Sequence, residues 1–306
     1  MKISEKLKLI KRISGLTQES LAKELGVSFA TVNSWINDKS IPHKKKQDKI
    51  DELYKKYTGE KVIPDSQLIA KKNLLYKKSK DNKNIIKKII SREDLFNEFI
   101  LQLTYNSNSI EGSTLTQDDT EAILFRNVNI ENKSLMEHLE AKNHQAVLKY
   151  LFKIINSDLK IDESLILKFH SILMNGIRDD AGGYRSYGVR IVGSNVPTAN
   201  CLSVPKLMKD LFEDINKKTD DIIAHISKVH SNFEQIHPFS DGNGRIGRIV
   251  MVLMLLRENL APAIISQKNK SFYYKYLQKS QILKEFSLLE DFTCDSIFTG
   301  YKIIEE

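Results

Sequence analysis

The chain has 306 residues, 41% apolar and 28% charged, a composition for about two globular domains rather than a disordered chain. No apolar run approaches the roughly 18 residues of a membrane span, residues 1–15 lack the apolar stretch of a secretory leader, and Cys201 and Cys294 form no CxxC pair. A cytoplasmic chain with reduced thiols and no membrane contact is therefore expected. The net charge of +8 is uneven: residues 1–58 hold 13 Lys and Arg against 7 Asp and Glu, and residues 59–94 hold 10 against 5. An anionic partner is expected for this basic N-terminal third only.

In chain order, residues 1–58 read as a small helical domain. Thr17 is placed to cap a helix, with Leu21, Ala22 and Leu25 as its apolar face, and Gly26 to end it. Ser28 is placed to cap a second helix through Asn37. Helix, glycine turn and capped helix form the helix-turn-helix pattern. Gln18, Ala22, Gly26, Val27, Thr31, Val32 and Trp35 make residues 3–57 resemble the lambda-repressor-like family. That resemblance implies a five-helix domain whose second motif helix enters the DNA major groove, with Ser28, Phe29, Ala30, Thr31 and Asn33 toward the bases. Lys39 and Lys44, Lys45 and Lys46 would meet phosphates, and useful affinity would need a homo-oligomer.

Residues 59–91 read as a basic connecting segment, helical in part, after a boundary marked by Gly59 and Pro64. Residues 92–306 read as the main helical domain. Its clearest non-helical stretch is 181–205, with four glycines, two prolines and alternating Val189 and Ile191, a loop or short hairpin.

The informative segment is IHPFSDGNGRIGR, residues 236–248. Pro238 disfavours helix at His237. Gly242 and Gly244 let the backbone turn and approach a ligand. An almost wholly apolar helix follows, so its N-terminus offers free N–H groups and the positive end of its dipole to an anion. Arg245 and Arg248, three apart, share one face. Asp241 offers a hard oxygen that suits Mg²⁺, and His237 a base near neutral pH. The set describes a phosphate site with a metal ligand and a proton acceptor. A zinc-hydrolase alternative would use His230, Glu234 and His237, but no HExxH spacing supports it.

These residues match HxFx(D/E)GNGRxxR at every fixed position, and about residues 95–277 resemble the Fic family. The resemblance implies transfer of AMP from ATP to a Ser, Thr or Tyr hydroxyl of a target protein, the chain itself included. His237 would be the general base and Asp241 the holder of Mg²⁺ on the phosphates. The backbone of Gly242, Asn243 and Gly244 with the Asn243 side chain would form an anion hole, and Arg245 and Arg248 would hold phosphates. A glycine at 244, where kinase-like relatives carry lysine, implies AMP transfer rather than phosphorylation. Residues 182–205 resemble the family's target-docking flap, with Val189, Arg190, Ile191, Val192 and Gly193 as a strand that pairs with the target. Tyr273 and Tyr274 resemble the adenine-side segment, although Gln281 replaces the usual Asn. Ser107, Glu111 and Gly112 match the family's autoinhibitory pattern, which implies that Glu111 withdraws Arg248 from the γ-phosphate.

The expectation is an all-α chain: a helical Fic core with a short β-hairpin flap, an inhibitory helix near 105–112, and an N-terminal helix-turn-helix domain. Two other activities share this site: removal of AMP from a modified protein, and nucleotide sensing by a transcriptional regulator.

Overall fold

The computed structural model describes residues 2–58, 62–156, 158–191 and 196–306. Among them there are fifteen α-helices and no strand. The backbone divides into two compact units, residues 1–67 and 68–306.

The first unit contains α1 (Ile3–Ser14), α2 (Gln18–Leu25), α3 (Phe29–Ile36) and α4 (Lys44–Thr58). The expected caps are present: Thr17 accepts the Ser20 N–H at 3.1 Å and Ser28 accepts that of Thr31 at 3.2 Å. Gly26 turns the chain between them at φ 66°, a left-handed conformation that glycine adopts at little cost. Leu7, Ile10, Leu21, Leu25, Val32 and Tyr54 form the core under the motif. Four helices stand where five were expected. Residues 37–43, with Asp38 at φ 55° and Pro42, run as a loop before α4.

The second unit begins within α5 (Asp65–Asp81) and continues through α6 (Ile85–Ser91), α7 (Glu93–Glu111), α8 (Gln117–Arg126), α9 (Leu135–Ile154), α10 (Glu163–Leu173), α11 (Val204–Ile215), α12 (Ile222–Ile236), α13 (Asn243–Arg257), α14 (Lys270–Leu283) and α15 (Ser287–Glu305). Two lysines of α5 are structural. Lys71 bonds Asp291 at 2.5 Å and Asp295 at 2.6 Å, and Lys72 bonds Asp221 at 2.6 Å and Glu290 at 2.5 Å. The basic segment after Gln67 is thus part of this unit, with much of its charge spent internally.

Helix α13 is the axis of the unit. From Arg245 to Leu256 every residue is buried, as its apolar sequence requires. It is packed by α12 and α7, and α12 in turn by α11, α14 and α15. Gly247 permits the close α12–α13 approach, because a Cβ there would fall on the Glu234 carboxyl and within 3.1 Å of Phe233.

Candidate active site

The site forms where α12 ends and α13 begins. His237 is the first residue past α12 and is left-handed at φ 52°, which turns the chain before Pro238. Its Nδ1 lies 3.2 Å from the Glu234 carbonyl, which can only accept, so Nδ1 carries the proton and Nε2 is the basic nitrogen. Burial lowers the imidazole pKa, so the ring is neutral at pH 7.

The loop from Phe239 to Gly242 is held from several directions. The Phe239 ring is buried and stacks on His170 at 3.8 Å between centroids. His170 Nδ1 accepts the Gly182 N–H at 2.9 Å, so its Nε2 donates to the Asp241 carbonyl at 3.1 Å. Burial lowers the pKa of His170 and keeps this neutral tautomer. Arg185 donates to carbonyls on both sides of the site: His237 at 2.7 Å, Ile236 at 3.3 Å, Tyr187 at 2.7 Å and Ala199 at 2.5 Å. It binds the loop around 182–205 to the turn that carries His237.

Asn243 behaves differently from its expected place in an anion hole. Its Oδ1 accepts the Phe239 N–H at 2.8 Å and its Nδ2 donates to the Phe239 carbonyl at 2.8 Å. Both side-chain groups are committed to closing the loop. The backbone amides of Asn243, Gly244 and Arg245 open α13 without an acceptor four residues back in the helix, the kind of donors that suit an anion.

The two arginines meet different carboxylates. Arg245 donates from Nη1 to Glu140 at 2.6 Å, with Nη2 3.5 Å from Asp241. Arg248 donates from Nη2 to Glu111 at 2.6 Å and to the Ser107 carbonyl at 3.0 Å, and from Nε to Ser107 Oγ at 2.9 Å. Burial works against the Arg248 charge, but Glu111 outweighs it and the pKa rises. Ser107 and Glu111 thus both bond Arg248, and Gly112 ends α7 at φ 110°. Gly244 is required by this contact, since a Cβ there would strike the Glu111 carboxylate.

Beneath the arginines the lining is neutral. Burial lowers His144 and His230 to about 3 and raises Glu234 to about 8. The charges that face the arginines are those of Glu111, Glu140 and Asp241. The zinc alternative fails here: His230 bonds Tyr273 at 2.7 Å inside the core, and no cluster of three metal-ligating residues exists among the described residues.

Two other expectations change. Tyr273 is 1% exposed, bonded to His230 and stacked on Phe292, so it packs under the site and offers no face to a base. Gln281 is buried on the Ser231 carbonyl at 3.2 Å. Tyr274 is partly exposed and lies 3.4 Å from the Ile110 carbonyl, next to Glu111. The flap shows no ladder in its described part. Val189, Arg190 and Ile191 are irregular, tied across the loop by Thr198 Oγ1 to the Val189 carbonyl at 2.7 Å, and Val192 and Gly193 lie outside the described residues. An isolated two-stranded ribbon is marginal in water, and a partner strand would be needed to complete it.

In the first unit, Ser28 and Phe29 are exposed at the start of α3, and Thr31 and Asn33 are half-buried. Lys46 is not available to a phosphate: its Nζ caps α2 on the carbonyls of Leu25 at 2.7 Å and Gly26 at 3.1 Å.

Glu140, His170 and Arg185 had no assigned role in the sequence reading. Arg185 lies in the segment that resembles the flap; the other two lie on helices whose local sequence marks nothing.

The Fic/DOC family model matches residues 160–255, and a helix-turn-helix model matches residues 7–60. The chain is 32% identical over 186 residues to "Protein adenylyltransferase Fic" of Aedes aegypti, which covers 59% of this chain and 37% of that protein. It is 32% identical over 190 residues to the protein of the same name from Nematostella vectensis, covering 60% and 44%. The chain thus spans less than half the length of these relatives. Among solved structures, Fic-1 from C. elegans aligns at TM-score 0.68 and 20% identity over 99% of this chain and 97% of that one. A Fic domain containing signaling protein from Bacteroides thetaiotaomicron aligns at 0.67 and 22% identity over 77% and 97%. No helix among the described residues is long and apolar enough to cross a membrane. Residues 160–255 are thus similar to the Fic/DOC family and residues 7–60 to helix-turn-helix domains.

Proposed function

We propose that the chain transfers AMP from ATP to a hydroxyl of a protein target, itself included, and that Glu111 restrains the activity. The observation that carries the proposal is the grouping at one helix N-terminus of a neutral histidine with a free Nε2, two arginines and three unpaired amides. The amides and Arg245 receive phosphate oxygens, and the dipole of α13 adds to their field. His237 takes the proton of the attacking hydroxyl, a contribution of about 10²–10⁴ in rate. The hydroxyl oxygen bonds to the α-phosphorus and the bond to pyrophosphate breaks, with positioning and charge neutralisation supplying most of the remainder.

Asp241 is half exposed at the loop tip, and a single carboxylate completed by the nucleotide's own phosphates is a donor set that Mg²⁺ accepts. Bound there it would neutralise phosphate charge. Arg248 is the γ-phosphate ligand in this reading. While it is held by Glu111, ATP lies in a non-productive pose.

The test is incubation of the chain with ATP labelled at either the α or the γ phosphate. Label retained on protein from the α position only supports AMP transfer. Label from the γ position means phosphorylation, and release of AMP from a premodified protein means that the reverse reaction dominates.

We infer further that α3 of the first unit contacts DNA through Ser28, Phe29, Thr31 and Asn33, with phosphate contacts from Lys39, Lys44 and Lys45, as a homo-oligomer in the cytoplasm. The exposed N-terminus of α3 and the basic composition support this. A gel shift that weakens steeply with salt is expected, and its absence on any duplex would favour a protein-contact role.

A further inference from the structure

We propose that Glu140 is a positioning residue of the nucleotide site, which acts through Arg245 by fixing the guanidinium toward the phosphates. The inference rests on the adenylyl-transfer reading only in taking ATP as the ligand.

Arg245 is buried in the first turn of α13. Its side chain is 3% exposed, so its charge is desolvated and its orientation must come from protein partners. The short contact is the bond from Nη1 to Glu140 at 2.6 Å, and Asp241 stands at 3.5 Å from Nη2. Nε is buried without a hydrogen-bond partner. A guanidinium gripped at one corner, with Nη2 directed at the exposed carboxylate of the loop, is aimed at the place where a phosphate would sit. The planar fork makes this effective, because fixing one nitrogen of a rigid group fixes the others.

The helix that presents Glu140 is itself immobilised on the same face. Three residues earlier, Glu137 accepts the Thr114 N–H at 2.7 Å and the Thr114 hydroxyl at 2.8 Å. Three residues later, Asn143 donates from Nδ2 to the carbonyls of Leu173 at 3.0 Å and Asn175 at 2.8 Å. Residues spaced by three share a helix face, so the brace stands between two anchors and has no free end to swing. Glu111 is built otherwise: it is the last residue of α7, next to a left-handed glycine, and its side chain is 32% exposed against 20% for Glu140.

A carboxylate that merely offsets the buried charge of Arg245 would support folding, and its loss would not depend on what Arg245 does for ATP. A positioning residue acts through Arg245 alone, and that difference is measurable. ATP affinity in the presence of Mg²⁺ is measured by calorimetry on the full chain carrying Glu111→Gly, then with Glu140→Ala, Arg245→Ala and both together. Melting temperatures confirm that each variant is folded, and Glu140→Gln, which keeps an acceptor at similar reach, is carried in parallel. Glu140→Ala is expected to weaken ATP binding about ten- to a hundredfold, the range of a charge-assisted hydrogen bond. Glu140→Gln should recover part of that loss, and Glu140→Ala should cost nothing further once Arg245 is alanine. ATP affinity unchanged by Glu140→Ala, or losses that add in the double variant, would overturn the proposal. Whether the Glu111→Gly parent labels protein with AMP is read separately and tests the transfer reading alone.

Discussion

Arg245 and Arg248 stand one turn apart on α13, and each bonds a carboxylate from another helix at 2.6 Å. The bonds are alike in length and opposite in proposed consequence. Glu140 sits in mid-helix between anchored neighbours and cannot leave, so it shapes the site. Glu111 ends its helix, partly in solvent, and in the proposed reading competes for a guanidinium that ATP also needs. The energy of an ion pair therefore does not say what the pair does; the freedom of the element that supplies the carboxylate does.

The largest expected effect lies outside both pairs. His237→Ala in the Glu111→Gly chain should slow AMP transfer about 10²–10⁴-fold while ATP affinity stays within about threefold, because the ring handles the proton and the arginines the phosphates. A parallel loss of affinity would show that the two roles are not separated as described.

A pH experiment comes next, since Glu234 lies under Arg248. Burial raises its pKa to about 8, so the stability it contributes is present below its unfolded value near 4.5 and lost as pH rises through 8. His144 and His230, lowered to about 3, behave oppositely: their contribution is present above about 6.5 and lost as pH falls toward 3. Between pH 7 and 8 Glu234 is thus the group that tilts the curve, by about 1 kcal/mol. Urea unfolding should show that decline in the wild type and a flatter line in Glu234→Gln. Since Glu111 raises and Arg248 lowers this pKa, Glu111→Gly should move the decline to lower pH. Equal slopes in wild type and Glu234→Gln would remove Glu234 from this part of the account.

The smallest effect concerns Glu137, which bonds residues just past Glu111 and begins the helix of Glu140. Burial would raise its pKa, but the donors of Thr114 and Ser134 outweigh it and hold it at about 2. Its contribution is present above about 4.5 and lost as pH falls toward 2. Glu137→Gln should cost about 1 kcal/mol and loosen both the turn after Glu111 and the start of the Glu140 helix. In melting and transfer assays at pH 7 we expect a few degrees lost and a few-fold gain in AMP transfer. Unchanged melting and transfer would show that these bonds hold neither Glu111 nor Glu140 in place.

The candidate loop was legible in the sequence because its chemistry is local: a histidine, an aspartate, glycines and two arginines within thirteen residues, at the mouth of an apolar helix. The caps of α2 and α3 were legible for the same reason. Glu140 was not, since its partner lies 105 residues away and a glutamate in a polar helical stretch has no distinguishing mark. Lys71 and Lys72 read as basic surface because their acidic partners lie about 150 to 220 residues on. Asn243 lay in a recognised motif, but the motif does not say which atoms its side chain meets, and these are the backbone of Phe239. Val189 and Ile191 alternate, but alternation makes a strand only when another strand pairs with it, and residues 192–195 of the expected hairpin lie outside the described residues.

The central claim is that Glu111 restrains a competent AMP-transfer site by holding Arg248. Intact mass after incubation with ATP and Mg²⁺ tests it directly, on wild type, Glu111→Gly and Arg248→Ala. The account predicts addition of AMP to the Glu111→Gly chain about 10–100 times faster than to wild type, the range of one charge-assisted hydrogen bond, and none to Arg248→Ala. Equal addition to wild type and Glu111→Gly, or addition to neither, would contradict it.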